Sequence, residues 1–286
     1  MTDTKRQYLY LLPCLALMVT FLLLASDVKA GVTQGLEVCL VAVIPSVFPF
    51  TIFSSYLSSL ALSGKGKRRS LFFTFLTGLL CGFPLGAKAV VDGFRKGVYT
   101  KQESEWLLTF CNNTSLSFLV AGVGGSMRGS LLDGVVLFCI QTTSSLLVAF
   151  LSRPKVKTAT PSPVLSSSHF SLALAIRDGV FSTLTVCGFV VYFSCLLSLC
   201  EHLLPKGLSF ALSLCLEVSY ACQSLSNHPL GLPLTAFAVC FSGVSVHLQV
   251  AALLGDTRLS MKPYLFWKVV SGMIGFAFAT LSTFFS

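Results

Sequence analysis

The sequence predicts an all-α polytopic membrane protein made of two inverted repeats with broken or re-entrant helices. Three observations carry that reading. Of the 286 residues, 54% are hydrophobic and only 11% charged, with a mean hydropathy of +0.81, whereas soluble domains carry about 25% charged residues. Prolines, glycines and polar clusters interrupt apolar runs that are otherwise long enough to cross a bilayer. The interruptions also recur in the same order on either side of a Ser/Thr/Pro-rich stretch, the weak internal symmetry of repeat-built transporters.

The net charge of +9 comes from short cationic runs beside apolar segments. They read as cytoplasmic anchors under the positive-inside rule. A nucleic-acid surface is not indicated, because no recognition motif or basic face with interleaved aromatics is present. Nearly all of the eleven cysteines lie inside apolar runs, and none forms a Cys-x-x-Cys pair. The sequence therefore carries no disulfide framework, zinc motif or redox motif, and the thiols read as small buried hydrophobes.

Residues 1–30 are expected to form an N-terminal transmembrane helix. Lys5 and Arg6 precede an apolar run from Tyr8 to Ala25, longer than the roughly 7–15-residue core of a signal peptide, so the segment is read as retained. Residues 31–152 form the first repeat. Its opening run, 35–62, carries Pro45 and Pro49 in the middle. Each removes a backbone donor and crowds the preceding turn, so a kinked or broken helix is expected. "GKGKRR" at 64–69 shares the cytoplasmic side with Lys5 and Arg6. The run 70–87 places Gly78, Gly82 and Gly86 at four-residue spacing on one helix face, a surface for close backbone approach, with Pro84 as a breaker. Residues 88–105 are charged and amphipathic, 106–124 apolar with a polar insertion, and 131–151 an uninterrupted span.

Residues 153–168, "RPKVKTATPSPVLSSS", read as a linker. The second repeat, 169–286, has apolar segments at 177–200, 208–225, 231–254 and 264–285. "GLEVCLVAVIPSVFPF" is matched by "RDGVFSTLTVCGFVVYF", with Pro45 and Gly188 as the respective breakers. "CGFPLGAK" is matched by "EVSYACQS", and "FCNNTSLSFL" by "CFSGVSVHLQV".

The candidate site follows from these interruptions. Asn112, Asn113, Thr114 and Ser115 suit a helix start, since their side chains accept hydrogen bonds from orphan amides; Ser242, Gly243 and Ser245 suit the same role in the second half. A helix beginning inside the bilayer leaves amides unpaired and presents a mildly positive end. Irregular backbone at that depth survives only within protein or against a watery cavity. Two such ends facing each other would suit an anionic group, a carboxylate above all. Lys88 either draws an anion or pairs with Asp92 one turn on. Glu217, a carboxylate inside an apolar span, either carries a coupling proton or hydrogen-bonds a neighbouring helix. His247 is a site candidate or an interhelical hydrogen-bonding group, and Gln249 lies about 200° from it on a helix, so the two do not serve one ligand group together. Arg128 reads as an interface anchor, and His169, His202 and His228 as loop or interface residues. "GVGGSMRG" lacks the preceding strand and spacing of a phosphate loop. No Gly-x-Ser-x-Gly elbow, His-Glu-x-x-His or aspartate pair appears, so the chain is read as no enzyme, with no catalytic residues, no metal and no cofactor.

The stretches "CGFPLGAKAVVDGFRKG", "ESEWLLTFCNNTSLSFLVAGVGGSMRGS" and "FSGVSVHLQVAAL" resemble the YlbJ-type sporulation integral membrane proteins. Those are related to the nucleoside-recognition, or Gate, domains of spore maturation proteins, iron transporters and nucleoside carriers. The resemblance runs from about Gly35 to Tyr264. It implies a polytopic protein of endospore formers, similar to the carrier that moves dipicolinate across the outer forespore membrane. The family's glycine-proline-glycine-alanine-lysine element falls on Gly82, Pro84, Gly86, Ala87 and Lys88. Its double asparagine falls on Asn112 and Asn113, and its serine-valine-histidine-glutamine element on Ser245, Val246, His247 and Gln249. Thr114-Ser115 and Ser242-Gly243 depart from the proline or glycine and the Gly-Gly pair expected at those points. The implied partners are a small anionic solute, membrane lipids, and a second copy or other sporulation membrane proteins, with no nucleic acid. A nucleoside-like solute, or a non-transporting scaffold, is the alternative.

Overall fold

The computed structural model describes residues 3–61, 66–154 and 171–284. Its regular structure is helical throughout. The chain opens with α1 (Asp3–Leu23) and, after Leu24, α2 (Ala25–Val38), which passes through a π-helical segment (Cys39–Val43) into α3 (Ile44–Ala61). Then come α4 (Lys67–Leu80), α5 (Leu85–Arg95) and α6 (Lys101–Cys111), a second π-helical segment (Phe118–Met127), and α7 (Leu131–Leu151). The remainder is α8 (Leu172–Leu203), α9 (Lys206–Leu216), α10 (Val218–Ser224), α11 (Gly231–Phe241), α12 (Gly243–Leu254) and α13 (Met261–Phe284).

Five segments are long and apolar enough to cross a membrane: Ala25–Leu60, Leu131–Leu151, Leu172–Leu203, Gly231–Leu254 and Met261–Phe284. Leu11–Leu23, Phe118–Met127 and Lys206–Leu216 are shorter apolar helices. Large apolar side chains such as Leu40, Leu132 and Phe150 face outward, while Gln141, Ser144, Thr235, Glu217 and Lys268 are buried. That is the reverse of a soluble protein. Lipid tails satisfy an apolar exterior, and polar side chains are tolerable only where other protein groups meet them. The protein is an integral membrane protein.

Several expectations are corrected. Pro45 and Pro49 do not break their helix. The π segment widens the backbone just before Pro45, where the ring would press on the preceding turn, and the chain stays helical from Ala25 to Leu60. The span also begins ten residues earlier than position 35. Gly188 lies inside an unbroken α8. Gly78, Gly82 and Gly86 do not share one helix face, because the chain leaves α4 at Cys81 and re-enters helix at Leu85. Gly82 adopts φ +77° in that break. The three glycines instead converge on one partner: a Cβ at Gly78 or Gly86 would fall 1.6 or 1.9 Å from the Cys111 carbonyl oxygen, and one at Gly82 would fall 2.6 Å from the Ser115 nitrogen. The predicted span 208–225 is interrupted at Glu217, which is extended between α9 and α10. The linker lies outside the described residues from position 155 on, as does His169.

Helix α8 packs along α2 and α3, where Gly31 and Gly35 let the backbones touch. Helix α13 packs along α11, with Gly272 and Gly275 against Phe237, Phe241 and Cys240. These two helix pairs flank the interrupted segments.

Candidate functional site

The first interruption, Asn112–Ser115, is non-helical, as its composition predicts, and is fully buried. Its backbone is not left open. Gln141 on α7 accepts from the Thr114 amide at 3.0 Å and donates to the Thr114 carbonyl at 2.8 Å, standing in for a neighbouring strand. Asn113 donates to the Phe110 carbonyl at 2.8 Å and accepts from the Ser145 hydroxyl at 2.7 Å. Ser115 Oγ accepts from the Phe118 amide at 3.2 Å, the capping role expected of it. The expectation of exposed amides here is therefore corrected. The Thr114 and Phe118 amides and the Thr114 carbonyl of the break are satisfied from within the protein, while Asn112 Oδ1 is not.

The second interruption differs. Ser242 sits in the left-handed region with φ +80°, followed by Gly243 at +75°, and no side chain caps α12. Lys268, 1% exposed on α13, donates to the Cys240 carbonyl at 3.4 Å and to Ser242 Oγ at 3.3 Å. One turn earlier on α13, the Tyr264 hydroxyl accepts from Asn112 Nδ2 at 3.0 Å and lies 3.0 Å from His247 Nδ1. Thr114 Oγ1 donates to the Val239 carbonyl at 3.0 Å. These contacts bring the two interruptions together at α13, from opposite ends of the sequence. Asn112 Oδ1, Ser245 Oγ, His247 Nε2 and Gln249 Oε1 are buried there without a hydrogen-bond partner among the described residues. An orphaned buried polar atom costs about 1–3 kcal/mol, so these four, spread over the first interruption and two sides of α12, are groups with hydrogen-bonding capacity left for a further partner.

Gln249 leads to a small chamber. It has a volume of about 20 Å³, room for about one water molecule. Thr114, Ser115, Glu217, Ser219 and Gln249 supply its polar wall, and Phe83, Phe118 and valines of the first π segment, α3, α8 and α12 supply the rest. Glu217 accepts from the Tyr220 amide at 2.6 Å and so caps α10. Two larger cavities are lined by other residues of the long helix Ala25–Leu60. A serine-lined cleft of about 190 Å³ lies between the second half of α3 and the start of α8, and includes Lys88, Asp92 and Asp178. A cavity of about 300 Å³ lies beside Glu37, Val41 and Ala42, with Met127 and Gln223 opposite. Their linings on the long helix Ala25–Leu60 fall in order between Glu37 and Ser59, roughly 33 Å of helix at a rise of about 1.5 Å per residue, and no residue lines two of them. The hydrocarbon core of a bilayer is about 30 Å thick.

Lys88 is not at the interruptions. It lies in the outer cleft, 3.8 Å from Asp92, with its side chain 41% exposed. His247 and Gln249 do point apart on α12, His247 toward Phe241 and Tyr264 and Gln249 into the chamber. Arg128 is held by Asp133 at 2.8 Å. His228 Nδ1 accepts from the Leu230 amide in a connection between helices. Among the described residues no cluster of three or more His, Cys, Asp or Glu could hold a metal.

Lys268, Tyr264, Gln141 and Ser145 were missed in the sequence. The signal for two of them was present: a lysine and a glutamine inside apolar spans are costly in lipid and mark a protein-facing role. For Tyr264 and Ser145 no local signal exists, because both residue types are ordinary in such helices.

No family model matches the chain, and no solved structure matches it. The "Sporulation integral membrane protein YlbJ" of Bacillus subtilis (strain 168) is 23% identical to it over 313 aligned residues, covering 88% of this chain and 76% of that protein. The YlbJ-type resemblance read from the motifs thus extends to a curated relative along most of the chain.

Proposed function

We propose that this membrane protein is a carrier for a small anionic solute, acting during sporulation, with dipicolinate import across the outer forespore membrane as the specific assignment. The observation that supports a carrier is a buried polar chamber walled by Thr114, Ser115, Glu217 and Gln249, residues at or beside the interruptions, with two further cavities lined by the same long helix. A structural membrane helix bundle has no use for buried unpaired acceptors beside such a chamber. In this reading residues 31–152 and 169–286 act as two inverted repeats, and rocking one against the other opens the chamber to each side in turn. Lys268 and the uncapped start of α12 provide the positive end toward which a carboxylate is drawn. The sporulation setting and the solute come from the relative's name and from family resemblance.

The test is deletion of the gene in its sporulating host followed by assay of spore dipicolinate. The proposal expects dipicolinate-poor spores that added dipicolinate does not rescue. Normal content overturns the assignment, and rescue by added dipicolinate moves the defect to synthesis.

A nucleoside-like solute is the second reading. Glu217 and Gln249 offer acceptors, and Phe83 and Phe118 offer ring faces, which would suit a neutral heterocycle bearing donors in a conformation where this chamber of about 20 Å³ has widened. Uptake of labelled uridine by the purified protein in liposomes, competed or not by dipicolinate, separates the two.

A further inference from the structure

The two charged side chains buried at 1% exposure, Glu217 and Lys268, are separate. None of the ion pairs among the described residues involves either one. Lys268 is answered by the carbonyl end of α11 and by Ser242. Glu217 is answered by amide groups at the start of α10 and by the Ser219 hydroxyl, with no cation among the described residues paired to it, and it lines the chamber. The titratable groups facing it are thiols, Cys39 on the π segment and Cys222 on α10. The walls from α3, α8, α12 and residues 114–118 bring none. Charged groups on adjoining elements are engaged elsewhere, Arg128 by Asp133 and Glu201 by the Tyr220 hydroxyl.

A chamber this small cannot hold an anion against an ionised carboxylate, since both would be desolvated with no cation between them. We propose that Glu217 is a proton site coupled to solute entry: the carboxylate takes a proton from the side on which the anion enters, and proton and anion leave together on the other side. The proposal rests on the carrier reading above. No bond of the solute is made or broken. The proton moves from bulk water to a Glu217 oxygen and back to bulk water. The protonated group keeps its carbonyl oxygen for the Tyr220 amide, so the α10 cap survives. Its new O–H has an acceptor at hand in Gln249 Oε1, which is buried in the same chamber without a partner. That oxygen and the carboxylate line the same chamber, so the protonated state has an acceptor that no other group among the described residues uses.

The experiment uses the full chain in liposomes, with dipicolinate as the anionic probe, uridine as the neutral one and a pH dye inside. For one proton per anion, an inward gradient of about one pH unit drives dipicolinate accumulation up to about tenfold, and uptake acidifies the lumen. Glu217→Gln, which keeps the cap and cannot titrate, should lose the response to the gradient while still exchanging labelled for unlabelled dipicolinate. Glu217→Asp should keep the response at a lower rate. Dipicolinate uptake by the unaltered protein without proton movement overturns the proposal but leaves the carrier intact. So does a Glu217→Gln protein that still answers the gradient. If the unaltered protein takes up neither probe, the carrier reading fails and the proton coupling with it.

Discussion

The two interruptions look alike in sequence and differ in how their polar groups are used. At Asn112–Ser115 the amide and carbonyl of Thr114 are both taken by Gln141, and both ends of the Asn113 side chain are occupied. At Ser242–Gln249 the helix start is uncapped, three side-chain atoms lack partners, and a buried lysine stands beside the turn. The first is a joint fixed at Asn113 and Thr114, with Asn112 Oδ1 alone left over; the second carries most of the unspent hydrogen-bonding capacity. Polar residues inside a membrane protein are thus not one class. What separates packing from function is whether neighbouring side chains already satisfy them.

The comparison can be broken by substitution. The largest effect is expected at Gly78→Ala, whose Cβ would overlap the Cys111 carbonyl from within α4. Displacing that backbone should cost about 4 kcal/mol or more, read as lost folded protein in size-exclusion profiles. Next comes Gln141→Leu, which strands an amide and a carbonyl at the fixed joint. It should lower thermal stability in detergent by about 2–5 kcal/mol. An unchanged melting temperature would show that the joint is not held as described.

Lys268→Met should do the opposite, removing a buried charge at little cost to stability while solute uptake falls to background. Equal loss of protein and uptake would make Lys268 a packing residue. The asparagines sharpen the contrast further. Asn113→Ala, which removes two buried hydrogen bonds, should reduce stability by about 1–3 kcal/mol, whereas Asn112→Ala, which removes only the bond to Tyr264, should reduce it less and chiefly lower uptake at constant membrane level.

The smallest effect belongs to a pair remote from both interruptions. Arg95, at the end of α5, donates to Asp256 in the connection between α12 and α13. That hydrogen bond and the guanidinium charge hold the Asp256 carboxyl below the usual carboxylate range. A depressed value means the pair's contribution is present above the ordinary range near pH 4 and is lost as pH falls through the lowered value. Asp256→Asn should therefore flatten the acid limb of a melting-temperature profile slightly and leave uptake unchanged, since the pair is exposed and well screened.

Much of the fold was legible because lipid imposes it. A run such as Leu131–Leu151 can be little other than a spanning helix, and the Asn-Asn-Thr-Ser cluster could only mark a break or a cap. The prolines misled because their cost is local and can be absorbed: a π segment ahead of Pro45 accommodates what an ideal α-helix cannot. The glycines at 78, 82 and 86 were rightly read as points of close approach, but on the wrong geometry, since helical spacing assumes a continuous helix. Lys88 was drawn to the site by its neighbours in sequence, and the turn at Cys81–Pro84 carries it into the outer cleft instead.

Composition and the order of interruptions by themselves determined an all-helical membrane protein with polar breaks in its apolar runs, because hydrogen-bond satisfaction in lipid leaves the chain no other choice. Which break is filled and which stays open was decided only in three dimensions. Gln141 reaches Thr114 across 27 residues and Tyr264 reaches Asn112 across 152. Partners supplied by distant helices leave no trace in the local pattern of either segment.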